Sequence, residues 1–118
     1  MEASSRHDQI ARNEVVFREV NERVKAVDET LSRDAIVDDP LDLVEFFCEC
    51  GDIGCMMKIS MTSAEYEELR SHPARFAIEL SHEIPSVETI VATTDRFTVV
   101  EKRPGLDAIA RATDPRSS

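Results

Sequence analysis

Three cysteines within eight residues are the strongest chemical signal in this sequence. They lie in the stretch Cys48-Glu49-Cys50-Gly51-Asp52-Ile53-Gly54-Cys55. Side chains two apart in a strand point to the same face, and a glycine-containing loop can turn the third cysteine back toward the first two. An odd number of cysteines argues against a disulfide framework. The spacing therefore predicts that Cys48, Cys50 and Cys55 converge on one metal ion at the tip of a hairpin.

Tetrahedral zinc needs a fourth ligand, and the candidates are the three histidines, His7, His72 and His82. We favour His82 because it lies in a loop between two predicted strands, where Pro85 restricts the backbone. His7 precedes a long predicted helix, and His72 stands beside basic residues that disfavour a cation. Four protein ligands leave no open coordination position, so the predicted cofactor is a structural Zn²⁺ ion.

Two carboxylates lie near these predicted ligands. Glu49 stands between two of them and is predicted to point to the opposite face, into solvent. Glu88 is a candidate to accept a hydrogen bond from the second ring nitrogen of His82 and so orient the imidazole. Other uses of the cysteines stay open: three buried thiols, a thiol pair for redox chemistry, or a two-iron cluster held with one histidine.

A long amphipathic helix is predicted over residues 8–33, with Asp8 as its N-cap. Its apolar residues are Ile10, Phe17, Val20, Val24, Val27 and Leu31. About 25 helical residues span roughly 37 Å, which is longer than a small sheet usually covers. Part of the stripe is therefore expected to meet a protein partner, with a homodimer through this helix as one form. The alternative is that the whole stripe lies across the sheet as core.

The remaining pattern alternates short strands with one short helix. Strands are predicted over 43–50, 56–61, 75–80, 87–93 and 97–102. Thr62 followed by Glu65 is a capping signal that starts a helix from Ala64 to about Ser71. These elements predict an α+β fold, with a small, mostly antiparallel sheet packed by a long N-terminal helix and a short central one. The expected core contains Phe17, Val20, Val24, Leu43, Phe46, Ile59, Tyr66, Leu69, Phe76, Ile90, Phe97 and Val99.

Length and charge restrict the function classes. A chain of 118 residues fits one domain, predicted over 8–112, with a flexible N-terminus over 1–7 and a disordered tail over 113–118. A net charge of −10 disfavours nucleic acid as a direct partner. Neither a membrane span nor a secretory leader is visible, so a cytoplasmic protein is expected. Sequence motifs of zinc hydrolases, deaminases and phosphate-binding loops are also missing, which argues against an enzyme.

The order of several motifs resembles a group of small, uncharacterised bacterial proteins. The similar residues are Asn13-Glu14-x-x-Phe17-Arg18-x-x-Asn21-Glu22-Arg23, Phe47-Cys48-Glu49-Cys50 with Cys55, Glu65-Tyr66-Glu67 with Arg70, and His82-x-x-Pro85-x-x-Glu88. The resemblance covers nearly the whole chain and implies zinc binding with Cys48, Cys50, Cys55 and His82 in the ligand positions. Members of the group usually carry glycine immediately before the histidine, where this chain has Ser81. The resemblance implies no activity.

Two functions follow from these observations. The first is a small structural-zinc protein that acts as a protein-interaction or regulatory module without catalytic activity. Residues 36–69 support it with nine acidic side chains against Lys58 alone, which would steer the protein toward a basic partner. The alternative is a thiol redox or iron–sulfur protein that uses the cysteine cluster.

Overall fold

The computed structural model describes residues 2–33, 43–52, 54–114 and 116. Within them the order of elements is α1 (Glu2–Arg33), β1 (Leu43–Phe47), β2 (Lys58–Thr62), α2 (Ser63–Arg70), β3 (Arg75–Ile78), β4 (Glu88–Thr93), β5 (Thr98–Lys102) and α3 (Ala108–Ala112). The predicted α+β class is confirmed.

The strands form two small antiparallel sheets instead of the single one expected. β1 pairs with β2 as a hairpin, from Leu43 opposite Thr62 to Phe47 opposite Lys58. The other three strands form a second sheet in the order β3-β5-β4. The central strand β5 pairs antiparallel with both neighbours.

The capping signal at the start of α2 is confirmed. The backbone amide of Glu65 donates to the Thr62 hydroxyl at 3.1 Å. In return, the backbone amide of Thr62 donates to the Glu65 carboxylate at 2.8 Å. Two amides that would otherwise lack partners at the helix start are thereby satisfied. α2 is fixed in place directly after β2, and Tyr66 and Leu69 face the core as expected.

Two apolar clusters lie on opposite faces of the three-stranded sheet. One joins that sheet to the hairpin and α2, and the Phe46 and Tyr66 rings stack within it with centroids 4.5 Å apart. Its buried members are Phe46, Ile59, Met61, Tyr66, Leu69, Ala77 and Phe97. The other cluster contains Phe76, Ile78, Val100, Ala110, Cys48 and Cys50. Leu43 and Ile90, expected in the core, are instead 46% and 50% exposed, since each lies on an outer strand.

The long helix differs most from expectation. It begins at Glu2, so Asp8 lies inside it and is not the N-cap. Its buried face carries polar residues at helical spacing, while Val27 of the predicted apolar stripe is 59% exposed. These buried polar residues are Glu14, Arg18, Asn21 and Lys25.

The reason for this polar face is what α1 packs against. Arg18 donates to the carbonyl oxygens of Pro73 at 2.8 Å and Ala110 at 2.9 Å. Backbone carbonyls in loops and in the last turn of a helix need partners when they are buried, and polar side chains on α1 supply them. The predicted contact of the apolar stripe with a second chain stays a prediction.

The end of the described chain lies against the helices. Arg116, in the segment predicted as a tail, forms ion pairs with Glu22 at 3.1 Å and Glu67 at 2.8 Å.

Among the described helices, none combines the length and apolarity needed to cross a membrane.

Candidate metal centre

The structure brings Cys48, Cys50, Cys55 and His82 together. One ligand atom from each residue lies within 4.8 Å of all the others, and the group could hold a metal ion. Cys48 and Cys50 are buried, whereas Cys55 and His82 are half-buried. All three cysteines are free thiols. The cluster therefore has a dry inner side and an outer side that solvent reaches.

The first two cysteines are held by an extension of the hairpin. The backbone amide of Cys48 donates to the Met57 carbonyl at 3.0 Å, which continues the β1–β2 ladder by one residue pair. Gly51 then turns the chain with a φ of +84°. A Cβ atom at Gly51 would lie 2.8 Å from the side chain of Ile10, so the turn needs glycine for space as well as conformation. Asn13 fixes this turn to α1 by donating to the Gly51 carbonyl at 2.8 Å.

Asp52 shapes the loop that returns the third cysteine. Its carboxylate accepts from the backbone amide of Gly54 at 2.9 Å. Its carbonyl accepts from the backbone amide of Cys55, also at 2.9 Å. An aspartate that bonds the backbone two residues on is a common way to form a tight turn. The local sequence thus turns Cys55 toward the other two sulfurs.

His82 arrives from the other sheet, in the loop after β3. A turn precedes it, in which the backbone amide of His82 donates to the Glu79 carbonyl at 3.1 Å. Ser81 within this turn has a φ of +70°, a left-handed conformation that favours glycine. The turn presents the histidine Nδ1 atom to the cysteines, at 3.5 Å from the Cys48 sulfur and 3.7 Å from the Cys55 sulfur.

These separations fit the edges of a tetrahedral zinc site. Zinc binds sulfur at about 2.3 Å and imidazole nitrogen at about 2.0–2.1 Å, so a tetrahedron places sulfur and nitrogen about 3.5 Å apart. The two sulfur–nitrogen distances in the structure, 3.5 and 3.7 Å, are close to that value. Three sulfurs and one nitrogen are also a common donor set of structural zinc sites.

Backbone amides surround the sulfurs. The amide of Glu79 donates to the Cys48 sulfur at 3.1 Å. The backbones of Asp52 and Met57 lower the pKa values of Cys50 and Cys55 respectively, which opposes the effect of burial on each thiol. Hydrogen bonds of this kind orient metal ligands and stabilise their charge.

The three thiols interact strongly with one another. The hydrogen bond from Cys48, together with other donors, lowers the pKa of Cys50 to about 5. The same bond to Cys50, together with burial, raises the pKa of Cys48, and burial raises that of Cys55. One thiolate therefore forms readily beside two thiols that resist ionisation, because the hydrogen bond to Cys50 and burial disfavour the charge on Cys48, and burial disfavours it on Cys55. A bound cation would remove that resistance.

Glu49 is buried and not solvated, which corrects the expectation from the sequence. Its side chain is fully enclosed and accepts three hydrogen bonds: from Asn21 at 2.8 Å, Arg70 at 3.0 Å and the amide of Ala77 at 3.0 Å. The alternation of side chains along the strand correctly predicted that Glu49 lies on the face opposite the sulfurs. That side faces α1, α2 and β3 instead of water, so Glu49 connects the cysteine loop to three other elements.

Glu88 does not take the role predicted for it. Its carboxylate accepts from the backbone amide of Ile84 at 3.0 Å, and no hydrogen bond joins it to His82 among the described residues. It lies beside Glu14, whose carboxylate accepts from the Lys102 ammonium at 2.8 Å. Burial raises the pKa of Glu14 to about 9, with Lys102 opposing that rise and Glu88 adding to it. Glu88 thus stabilises the loop that carries His82 through its hydrogen bond with the backbone amide of Ile84.

The other two histidines lie outside the cluster. His7 is on α1, and His72 follows α2, where its Nε2 atom is 3.4 Å from the Glu68 carboxylate. Neither belongs to a group of potential metal ligands within the part of the chain that the structure describes. The preference for His82 over His7 and His72 agrees with this arrangement.

Sequence reasoning missed the polar residues that hold the cysteine loop. Asn21 accepts from the backbone amide of Phe47 at 2.8 Å and donates to its carbonyl at 2.9 Å, so it pairs with β1 as a neighbouring strand would. Arg70 is buried with Glu49. The available signal was the spacing of Glu14, Arg18 and Asn21 by four and three residues, which places polar side chains along one helical face.

Comparison with known proteins gives no relative for this chain. No family model, curated protein or solved structure matches it.

Proposed function

We propose that this chain is a small structural-zinc protein that acts as a protein-interaction module and not as an enzyme. The observation that carries the proposal is the convergence of Cys48, Cys50, Cys55 and His82, with ligand atoms within 4.8 Å of one another. Three sulfur donors with one imidazole favour zinc over magnesium or calcium, which prefer oxygen.

A structural role follows from where the ligands come from. The cysteines lie in the loop between β1 and β2, and His82 follows β3 of the second sheet. An ion bound by all four would link the two sheets at one point. In a chain of 118 residues with no tryptophan, a metal link would add folding free energy that a small apolar core supplies poorly.

The closed donor set argues against catalysis. Catalytic zinc sites keep a position for water or substrate, and usually have three protein ligands. Four protein ligands at this cluster would fill the tetrahedron. The proposal therefore gives the metal the task of holding the hairpin and the His82 loop together.

The interaction role rests on the surface charge. Glu45, Asp52, Glu67 and Glu68 are exposed around the hairpin and α2, whereas Asp38, Asp39 and Asp42 lie outside the described residues. This surface favours a basic protein partner over nucleic acid or an anionic membrane. Three free thiols are also compatible with the reducing conditions of the cytoplasm, which is the proposed location.

A thiol redox or iron–sulfur protein is the second candidate, and one observation favours it. The Cys48 and Cys50 sulfurs lie within 4.8 Å of each other, which brings two thiols together for redox chemistry. Three cysteines with one histidine could also ligate a two-iron cluster. Against the cluster, four ligand atoms this close together suit one ion better than two.

Elemental analysis with ligand variants tests the proposal. Protein purified without chelator should contain about one zinc per chain and show no visible absorbance. His82→Ala should weaken zinc affinity by about 10- to 1,000-fold in a competition titration with a chromogenic chelator, since one of four ligands is lost. The matched control His72→Ala should bind zinc as the parent protein does.

Three outcomes would overturn the proposal. Iron with visible absorbance bands would favour the redox candidate. Absence of any metal after refolding with excess zinc would show that the cysteine and histidine cluster is not a metal site. Equal zinc affinity in His72→Ala and His82→Ala would show that the histidine in the cluster is not a ligand.

A further inference from the structure

The two outer strands of the three-stranded sheet differ in how they are covered. β3 is protected by the cysteine loop: the backbone amide of Glu49 donates to the Ala77 carbonyl at 2.9 Å, and its side chain accepts from the Ala77 amide at 3.0 Å. β4 has no such cover among the described residues, and it pairs only with β5. One edge of the sheet therefore offers unpaired backbone groups.

β4 is also unusual in its side chains. The five residues from Thr89 to Thr93 are exposed, and they include three consecutive apolar residues, Ile90, Val91 and Ala92, with no charge or proline. Proteins commonly guard an outer strand with charged residues or proline, because a bare edge invites another strand to pair. The only such feature here is the irregular register between Ile90 and Ala92. An exposed apolar edge of this kind is typical of strands that bind a partner chain.

A groove of about 480 Å³ runs beside this strand, between it and α2. The groove lies on the face of the sheet opposite the cysteine cluster. Its lining is mostly apolar, with Ala64, Leu69, Val91, Ala92, Phe97 and Val99 as the apolar members. An apolar channel flanked by an open strand edge suits an extended peptide, whose backbone pairs with the edge while alternate side chains enter the channel.

The charges at the rim indicate which peptide fits. Glu65 forms an ion pair with Arg96 at 2.8 Å, and Arg75 forms one with Glu101 at 3.1 Å. These four residues therefore neutralise one another in pairs. Glu68 is different, since its side chain is 77% exposed and its ion-pair partner is a histidine. The rim thus keeps one exposed carboxylate that no lysine or arginine pairs with among the described residues, and such a group attracts a cation.

We propose that β4 and this groove bind an extended peptide segment of a partner protein, in which apolar side chains alternate with basic ones. The segment adds a strand to the outer edge of β4, its apolar side chains enter the groove, and a lysine or arginine lies near Glu68. Five exposed residues correspond to roughly 17 Å of strand, so the binding segment is about five to eight residues long. This inference rests on the interaction role proposed above and names its surface. None of the groove residues is a candidate metal ligand, so the two proposals can fail separately.

Selection from a displayed library of random eight-residue peptides tests this surface on the full chain refolded with zinc. The enriched peptides should alternate apolar residues with Lys or Arg. A fluorescent copy of the most enriched peptide then serves as the probe in anisotropy titrations. Binding should slow hydrogen exchange of backbone amides over 89–93, where the added strand pairs.

Substitutions test whether the fluorescent peptide binds at β4 and the groove. Val91→Asp should weaken probe binding at least about tenfold, because a charge at the groove wall meets apolar side chains. Glu68→Lys should weaken it about three- to tenfold. The matched control is Glu45→Lys, which reverses the charge of a similarly exposed glutamate on β1 and should leave binding unchanged. Circular dichroism verifies that each variant is folded.

Three results would overturn the proposal. One is failure to enrich any peptide family. Another is an enriched family whose binding is unaffected by Val91→Asp and Glu68→Lys. The third is a dimer in sedimentation analysis that Val91→Asp dissociates, because the edge would then pair with a second copy. Zinc content measured on the same samples keeps each result separate from the metal proposal.

Discussion

Replacing Glu49 with Gln should strongly destabilise the protein, although the change is nearly isosteric. The Glu49 carboxylate is fully enclosed and lies 3.0 Å from the Arg70 guanidinium, whose side chain is 1% exposed. Gln keeps one acceptor oxygen for the Ala77 amide but removes the negative charge. The Arg70 cation then stays buried without a counter-charge, since its other hydrogen bond is to a backbone carbonyl at 3.2 Å.

The magnitude follows from the burial of this pair. Removing one partner of a buried ion pair costs about 3–5 kcal/mol, because the remaining charge is left uncompensated. Whole domains of this size are stable by only about 5–15 kcal/mol, so Glu49→Gln should remove a large fraction of the free energy of unfolding. A further Arg70→Met change should recover part of the loss, since it removes the orphaned charge and leaves an apolar side chain in contact with Tyr66 and Phe76.

Urea unfolding followed by circular dichroism, on protein refolded with zinc, measures this effect. Glu45→Gln is the matched control, because Glu45 lies on β1 with a side chain that is 70% exposed. It should change the free energy of unfolding by less than about 0.5 kcal/mol. If Glu49→Gln were as mild as this control, Glu49 would be solvated and its place at the centre of the fold would be wrong.

The remaining predictions concern one strained residue and one buried acid. Ser81→Gly should raise the free energy of unfolding by about 0.5–1 kcal/mol in the same urea assay, because glycine adopts the φ of +70° without strain. Ser71→Gly, at a φ of −70°, should instead lower it, and a loss in both variants would contradict the strain. Glu14 has a folded pKa of about 9, above its usual 4.5, so its stabilising contribution is complete below pH 4.5 and is lost as pH rises through 9. The stability of the parent relative to Glu14→Gln should therefore fall by up to about 1.4 kcal/mol per pH unit within that window, and a flat difference would refute the raised pKa.

Local sequence patterns predicted the elements and the grouping of the metal-site residues. Alternating apolar residues located the strands, and Thr62 with Glu65 located the start of α2 because a capping box is a short-range contact. The cysteines could be grouped for the same reason, since they are separated by one turn of chain. His82 was harder, because it comes from another sheet; only its place in a loop distinguished it from His7 and His72.

Polar contacts between distant elements could not be predicted in this way. The apolar stripe of α1 indicated a core face, yet the helix buries Glu14, Arg18 and Asn21 because their partners come from loops and strands far along the chain. Glu49 was correctly placed opposite the sulfurs, but strand alternation does not say what covers that side. A buried ion pair such as Glu49 with Arg70 is decided by tertiary packing, which periodicity does not contain.

X-ray absorption at the zinc edge, on the protein refolded with one equivalent of zinc, tests directly whether Cys48, Cys50, Cys55 and His82 bind zinc. We expect a four-coordinate ion with three sulfur ligands at about 2.3 Å and one nitrogen ligand at about 2.0–2.1 Å. The nitrogen contribution should carry the scattering pattern of an imidazole and should disappear in His82→Ala. A site with fewer than three sulfurs, or with a water ligand in the parent protein, would contradict a closed structural zinc centre.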